Sequence, residues 1–224
     1  MLFEIKQVLP PSELEEIQTL LRAAPWLPGK RTAGAHAQHQ KSNEEMDQSS
    51  DTWKKINQRV VTRLYENASF QHRVLPLRVS AAFIARYKEG SAYGQHIDDP
   101  VMGGPGTRYR ADVSVTVFLN NPGDYTGGEL IIQTKFGPTK VKLPAGNVIA
   151  YPSSSLHEVT PVTSGERLVG ALWVQSLIRD VQQREILADL DEARQALQQA
   201  TPNAHVTTRV DHAYMNLVRL WSEC

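Results

Sequence analysis

The stretch "GNVIAYPSSSLHEVTPVTSGERLVGALWVQS", residues 146–176, decides the fold. It holds short runs rich in β-branched and aromatic residues. Pro152, Pro161 and Gly165 punctuate them, and no helical period runs through. Such runs read as strands of a sheet. In "RLVGALW", Arg167, Val169, Ala171 and Trp173 share one face, because successive side chains alternate. His157 opens the strand before it.

The same texture extends toward the N-terminus. "LRVSAAFIARY", "DVSVTVFLN" and "GELIIQT" are further β-rich segments, separated by Gly, Pro, Asn and Asp. Six or more strands in the region 72–176, with no helical pattern between them, predict an antiparallel sandwich or barrel. The flanks differ. Residues 12–23 read as a helix opened by a Ser12/Glu15 capping box, with Leu14, Ile17, Leu20 and Leu21 as its stripe. Residues 28–50 are polar and loop-like, and a second helix follows Asp51 as N-cap. Beyond 176, Leu177, Val181, Leu187, Leu190 and Leu197 mark a third helix. Thr201-Pro202-Asn203 breaks it, and a last amphipathic helix follows. The expected layout is an N-terminal helical support (1–71), a β core (72–176) and a C-terminal helical extension (177–224).

Bulk composition narrows the chemistry. Of 224 residues, 41% are apolar, enough for a real core. Lys+Arg and Asp+Glu both number 24, so no basic excess points to nucleic acid. Cys224 is the single cysteine, which excludes an internal disulfide and a cysteine zinc site and fits a reducing compartment. The N-terminus lacks the pattern of a secretory signal, and no apolar run is long enough to span a membrane. The expected setting is the cytoplasm.

Chemistry concentrates in "YGQHIDDPV", residues 93–101. In extended chain, His96 and Asp98 point to one face, their bases roughly 6–7 Å apart. Both can reach one ion, while Ile97 and Asp99 point away. His157, alone among the other histidines, lies inside the β region. Two histidines and one carboxylate form the facial triad of non-haem Fe(II) sites. Arg167 lies ten residues further on. An arginine facing a sheet interior needs an anion, and a carboxylate matches its planar fork. No acid shares its strand face, so a small-molecule carboxylate is the natural partner.

His96-x-Asp98, His157 and Arg167, with "ARYKEGSAYGQHIDDP" and "VTVFLNNPGDYTGGEL" around them, resemble the Fe(II)- and 2-oxoglutarate-dependent dioxygenases. The likeness is closest to the bacterial PKHD-type (prolyl/lysyl hydroxylase-like) hydroxylases and covers nearly the whole chain. The resemblance implies a mainly β fold with flanking helices, built on a double-stranded β-helix (jelly-roll) core. It implies Fe(2+) on His96, Asp98 and His157, and 2-oxoglutarate held by Arg167. It implies an oxidoreductase that hydroxylates an unidentified substrate with O₂, turning 2-oxoglutarate into succinate and CO₂. Tyr87 would lie near the cosubstrate and Trp173 behind the iron. Phe118 stands where some relatives have a tyrosine that contacts 2-oxoglutarate, which leaves Arg167 with less help there unless Ser114 or Thr116 contributes. L-ascorbate as a reductant and a link to iron uptake also come with the family.

The same residues admit other readings. A cupin-like metal-binding jelly roll, acting as isomerase or small-molecule binder, would not use Arg167. A zinc hydrolase would leave that arginine unexplained. A non-enzymatic module would act through the C-terminal helices, which otherwise cover the jelly roll or form a homodimer interface. His36 and His39 resemble a ligand pair but read as solvated. Ser153–Ser155 lack an activating pair for serine catalysis. The loop 99–112, rich in glycine and proline beside the ligands, reads as a substrate lid.

Overall fold

The computed structural model describes residues 1–32 and 37–223. The chain begins with β1 (Phe3–Ile5), α1 (Pro11–Arg22), β2 (Trp26–Pro28), β3 (Glu44–Met46), α2 (Asp51–Glu66) and α3 (Ala68–Val74). There follow β4 (Pro76–Val79), β5 (Phe83–Tyr87), β6 (Tyr93–His96), β7 (Val101–Met102), β8 (Tyr109–Arg110) and β9 (Val113–Phe118). The next strands are β10 (Tyr125–Gly127), β11 (Leu130–Thr134), β12 (Gly137–Val141), β13 (Val148–Pro152), β14 (His157–Val159), β15 (Val162–Gly165) and β16 (Arg167–Ser176). Helices α4 (Val181–Ala200) and α5 (His205–Trp221) close the chain.

The major sheet runs β1-β13-β9-β16-β5-β3-β2, with β4 also on β16, and the minor sheet runs β12-β11-β14-β6. Every pairing within them is antiparallel. The two sheets face one another across a core that includes Tyr87, Phe118, Ile132, Tyr151, Val159 and Val169. On the far side of the major sheet, Val113, Val115, Val117, Leu172 and Val174 pack against Ile17, Ile56, Val60 and Leu64 of α1 and α2. This explains why all six residues of β9 are buried. Its odd positions meet the helices and its even positions meet the cavity between the sheets. The result is the jelly roll with helices on one face that the sequence predicts.

The N-terminal segment is more than the helical support expected of it, since β1, β2 and β3 all extend the major sheet. Strands of three residues are too short to carry a period. The capping expectations shift by a residue or two. Pro10 precedes α1, with Pro11 in its first turn, and makes no side-chain cap, so Ser12 and Glu15 form no capping box. At α2 the N-cap is Ser50, whose hydroxyl accepts from Trp53 N, and Asp51 is the first helical residue. The C-terminal helices pack on each other around Ile178, Leu187 and Tyr214. His72 of α3 pairs with Asp191 of α4 at 2.9 Å, docking the extension onto the body. No helix among the described residues is long and apolar enough to cross a membrane.

Candidate active site

The ends of β6 and β14 meet at the mouth of the jelly roll. His96 and His157 are direct cross-strand partners, with ring centroids 4.3 Å apart. Asp98 lies just past the end of β6, and the side-chain alternation persists there. Ile97 is 57% exposed and Asp99 is exposed, while the Asp98 side chain is only 9% exposed. Asp98 Oδ1 stands 3.9 Å from His96 Nε2 and 3.8 Å from His157 Nε2. Ligand atoms at right angles on bonds of ~2.1 Å stand ~3 Å apart, so a small contraction would let all three meet one ion. Among the described residues this is the one cluster of three or more such groups close enough to do so.

The surroundings orient each of the three side chains. His96 Nδ1 donates to Gly94 O at 2.7 Å and His157 Nδ1 donates to Ser155 O at 2.9 Å. A carbonyl can only accept, so both rings carry their proton on Nδ1 and present the Nε2 lone pair inward. Burial, reinforced by the neighbouring His157, holds the pKa of His96 well below its usual range and keeps the ring neutral. Tyr93 stacks on His96 at 3.6 Å, and Tyr151 meets His157 edge-on at 5.2 Å. Ser114 donates to Asp98 Oδ2 at 2.5 Å. Ser153 Oγ lies 2.9 Å from Ser114 Oγ. A hydroxyl has one proton, so with Ser114 committed to the carboxylate, Ser153 donates to Ser114. Of Ser114 and Thr116, the two residues that could have contributed beside Arg167, Ser114 is instead engaged by the aspartate.

The triad opens into a cavity of about 950 Å³ between the sheets. Arg167 lines it and is 1% exposed. Its Nε has no hydrogen-bond partner, and among the described residues no carboxylate pairs with it. Nearby acids are engaged elsewhere, Glu45 with Lys41 among them. Glu129 accepts from Thr160 at 2.6 Å, and Glu166 lies 4.0 Å from Arg86. The guanidinium instead sits over Tyr87 and Phe118, 5.0 and 5.7 Å from the ring centroids. Burial raises the Tyr87 pKa to about 12 against the opposing charge of Arg167, so the phenol stays protonated. Gly128, with φ +65°, passes close to the arginine: a Cβ there would stand 3.2 Å from Arg167 Cδ. A cation of this depth with no carboxylate beside it suits a ligand carboxylate.

Trp173 also lines the cavity and meets Phe83 edge-on, 5.2 Å between centroids. The other described histidines stay away. His72 serves the α3–α4 contact, while His39, His205 and His212 are exposed. His36 lies outside the described residues. Sequence reasoning missed Tyr93, Tyr151, Ser153 and Asn43, a buried residue lining the cavity. Tyr151 was nonetheless visible as an aromatic at the inward parity of an adjoining strand, whereas Tyr93 stands at the opposite parity to His96 and reaches it through a register shift between β6 and β14.

Comparison with known proteins settles the family. Residues 82–175 match the 2OG-Fe(II) oxygenase superfamily, and residues 182–223 match the PKHD-type hydroxylase C-terminal domain. A PKHD-type hydroxylase of Thioalkalivibrio sulfidiphilus is 48% identical over 223 residues, covering 100% of both chains. The chain belongs to the PKHD-type hydroxylases. Another, from Picosynechococcus, is 44% identical over the same span. Among solved structures, a Pseudomonas putida prolyl-4-hydroxylase shares the fold with TM-score 0.53 and 19% identity, over 78% of this chain and 92% of its own. A Trichoplax adhaerens prolyl hydroxylase, solved with a hypoxia inducible factor peptide, aligns with TM-score 0.56 and 19% identity, over 83% and 86%. As a family member the protein is an Fe(II)- and 2-oxoglutarate-dependent dioxygenase. Its cofactor is Fe(2+), and its substrates include 2-oxoglutarate and O₂.

Proposed function

We propose that this hydroxylase holds Fe(II) on His96 Nε2, Asp98 and His157 Nε2 and takes the distal carboxylate of 2-oxoglutarate on Arg167. The observation that carries this assignment is Arg167, a buried cation without an acid, in the same cavity as a His/Asp/His cluster. The donor set suits the ion: two neutral imidazoles and one carboxylate leave three of six positions open. When bound, the iron and cosubstrate supply the oxidising power for C–H hydroxylation, and 2-oxoglutarate leaves as succinate and CO₂.

The chain's own residues bind, orient and shield. Gly94 and Ser155 carbonyls fix the imidazole tautomers, and Ser114 fixes Asp98. Tyr87 and Phe118 wall the guanidinium, and Trp173 walls the substrate side. The cupin-like alternative leaves Arg167 without a purpose. The deciding test adds Fe(II) and 2-oxoglutarate to the protein under anaerobic conditions and seeks the visible metal-to-ligand charge-transfer band. The band is expected, and it should vanish in His157→Ala and weaken about a hundredfold in cosubstrate affinity in Arg167→Ala. Its absence from the unaltered protein would overturn the assignment.

The hairpin β7–β8 serves as a lid in this reading. Met102 and Tyr109 pair across it and both line the cavity. Gly103 and Gly106 take positive φ at its tip. Unchanged turnover after deletion of 102–107 would count against a lid. The enzyme acts in the cytoplasm, with ascorbate restoring ferrous iron. Exposed Ile186, Val206, Met215 and Leu220 on α4 and α5 support a homodimer contact there, which light scattering would test.

A further inference from the structure

The cavity wall carries a second arginine. Arg78 on β4 lies opposite Gln175 of β16, while Tyr87 lies opposite Arg167 of the same strand. Directly opposed residues share a face, and so do alternate residues along a strand. Arg78 and Arg167 therefore line one wall from its two ends, eight residues apart along β16, or roughly 26 Å at ~3.3 Å per residue. Ser114, which holds the Asp98 ligand, pairs with Trp173, between those ends and one inward row from Arg78. The triad thus sits between two cations.

Arg78 is exposed, and among the described residues no carboxylate pairs with it. Other arginines of the sheet and lid differ. Arg86 pairs with Glu44, and Arg110 pairs with Asp112 and Glu223. The Arg78 guanidinium is held over the Tyr109 ring, 4.9 Å from the centroid, and that ring is itself buried with its hydroxyl 3.6 Å from Met102 Sδ. Stacking occupies the face of a guanidinium and leaves its N–H edge free for a bidentate anion. Around it the wall is apolar, with Phe83 and Trp173 inside and Ile97 and Val101 exposed at the rim.

We propose that Arg78 binds a carboxylate of the primary substrate, whose apolar body lies along Phe83 and Trp173 toward the triad. This rests on the dioxygenase assignment above, with Arg167 reserved for the cosubstrate. Tyr109 belongs to the lid hairpin, so the same contact would seat the substrate anion under it.

The test uses full-length protein loaded with Mn(II) and saturating 2-oxoglutarate, in low-chloride buffer. Benzoate, phenylacetate and hexanoate are titrated against their neutral primary amides, with tryptophan fluorescence as the readout. At least one carboxylate is expected to bind ten- to a hundredfold more tightly than its amide. Arg78→Ala should abolish that preference and Arg78→Lys should keep part of it. Both variants should retain the charge-transfer band with Fe(II) and 2-oxoglutarate, which shows an intact fold and cosubstrate end. Equal binding of acid and amide, no binding of either, or a preference that survives Arg78→Ala would overturn the proposal. So would loss of the band in Arg78→Ala. Absence of the band from the unaltered protein would instead defeat the dioxygenase assignment.

Discussion

Replacing Ser114 by alanine removes one hydroxyl and leaves all three proposed ligands in place. The effect should nevertheless reach the metal. Ser114 is 3% exposed, and its 2.5 Å hydrogen bond fixes Asp98 Oδ2, which leaves Oδ1 facing the two histidines. In the variant the carboxylate can rotate, and Ser153 loses the acceptor of its hydroxyl. A hydrogen bond to a charged group contributes about 1.5–3 kcal/mol. Partners of this kind around metal ligands are worth about 10–100-fold in affinity, or about 1.4–2.7 kcal/mol. The two ranges agree, so Ser114→Ala should weaken ferrous binding about 10–100-fold. The assay titrates Fe(II) anaerobically at saturating 2-oxoglutarate and follows the charge-transfer band. A thermal melt of the metal-free protein checks that the fold survives. Ser153→Ala should give a smaller loss in the same assay, since it acts on Asp98 only through Ser114. An unchanged metal affinity in Ser114→Ala, with the melt intact, would refute the view that this serine sets the carboxylate.

Three further outcomes are expected. Asp98→Asn should abolish the charge-transfer band while Asp99→Asn leaves it intact, because Asp99 turns to solvent; equal losses would contradict that division. Gly128→Ala forces a side chain onto a residue at φ +65° and sets its Cβ 2.9 Å from Val162 Cγ2. The left-handed conformation alone costs about 1–2 kcal/mol, so calorimetry should show Tm about 2–8 °C lower. The metal-free protein should lose stability as pH falls below about 6.5. His96 is held neutral by burial, its folded pKa lies below the unfolded one, and protons therefore bind the unfolded chain first. Urea melts in chelator from pH 7 to 5 would show this as a falling midpoint, and His96→Gln should flatten the slope.

Much of the site was legible because it obeys strand parity. The alternation that separated Asp98 from Asp99 survives beyond the last residue of β6, and the face of Arg167, Val169, Ala171 and Trp173 does line the cavity. Arg167 could be assigned an anion because burial of an unpaired charge is severe wherever it occurs. What sequence did not reveal depends on pairing between distant segments. Ser114 reaches Asp98 only because β9 faces the loop after β6 across the cavity, and nothing local distinguishes it from Thr116. The Lys41–Glu45 ion pair that lines the cavity lies in a stretch that reads as featureless polar loop. The strands β1 to β3 owe their existence to edges offered by β13 and β5 rather than to their own composition. The caps moved for a simpler reason: Pro11 and Ser50 are also good first-turn and capping residues, and each lies next to the residue first chosen.

The cross-strand pairing of His96 with His157 bears on how the enzyme comes into being. The two imidazoles belong to separate β segments, far apart in the chain, and become neighbours only when β14 docks on β6. A nascent or unfolded chain offers His96 and Asp98 together but not the third ligand. On the proposed ligand set, tight iron capture would be a late event, waiting for the long-range closure of the sheet. Ferrous ion added during refolding would leave the early collapse untouched and act as a latch on the finished jelly roll, slowing its opening rather than hastening its assembly.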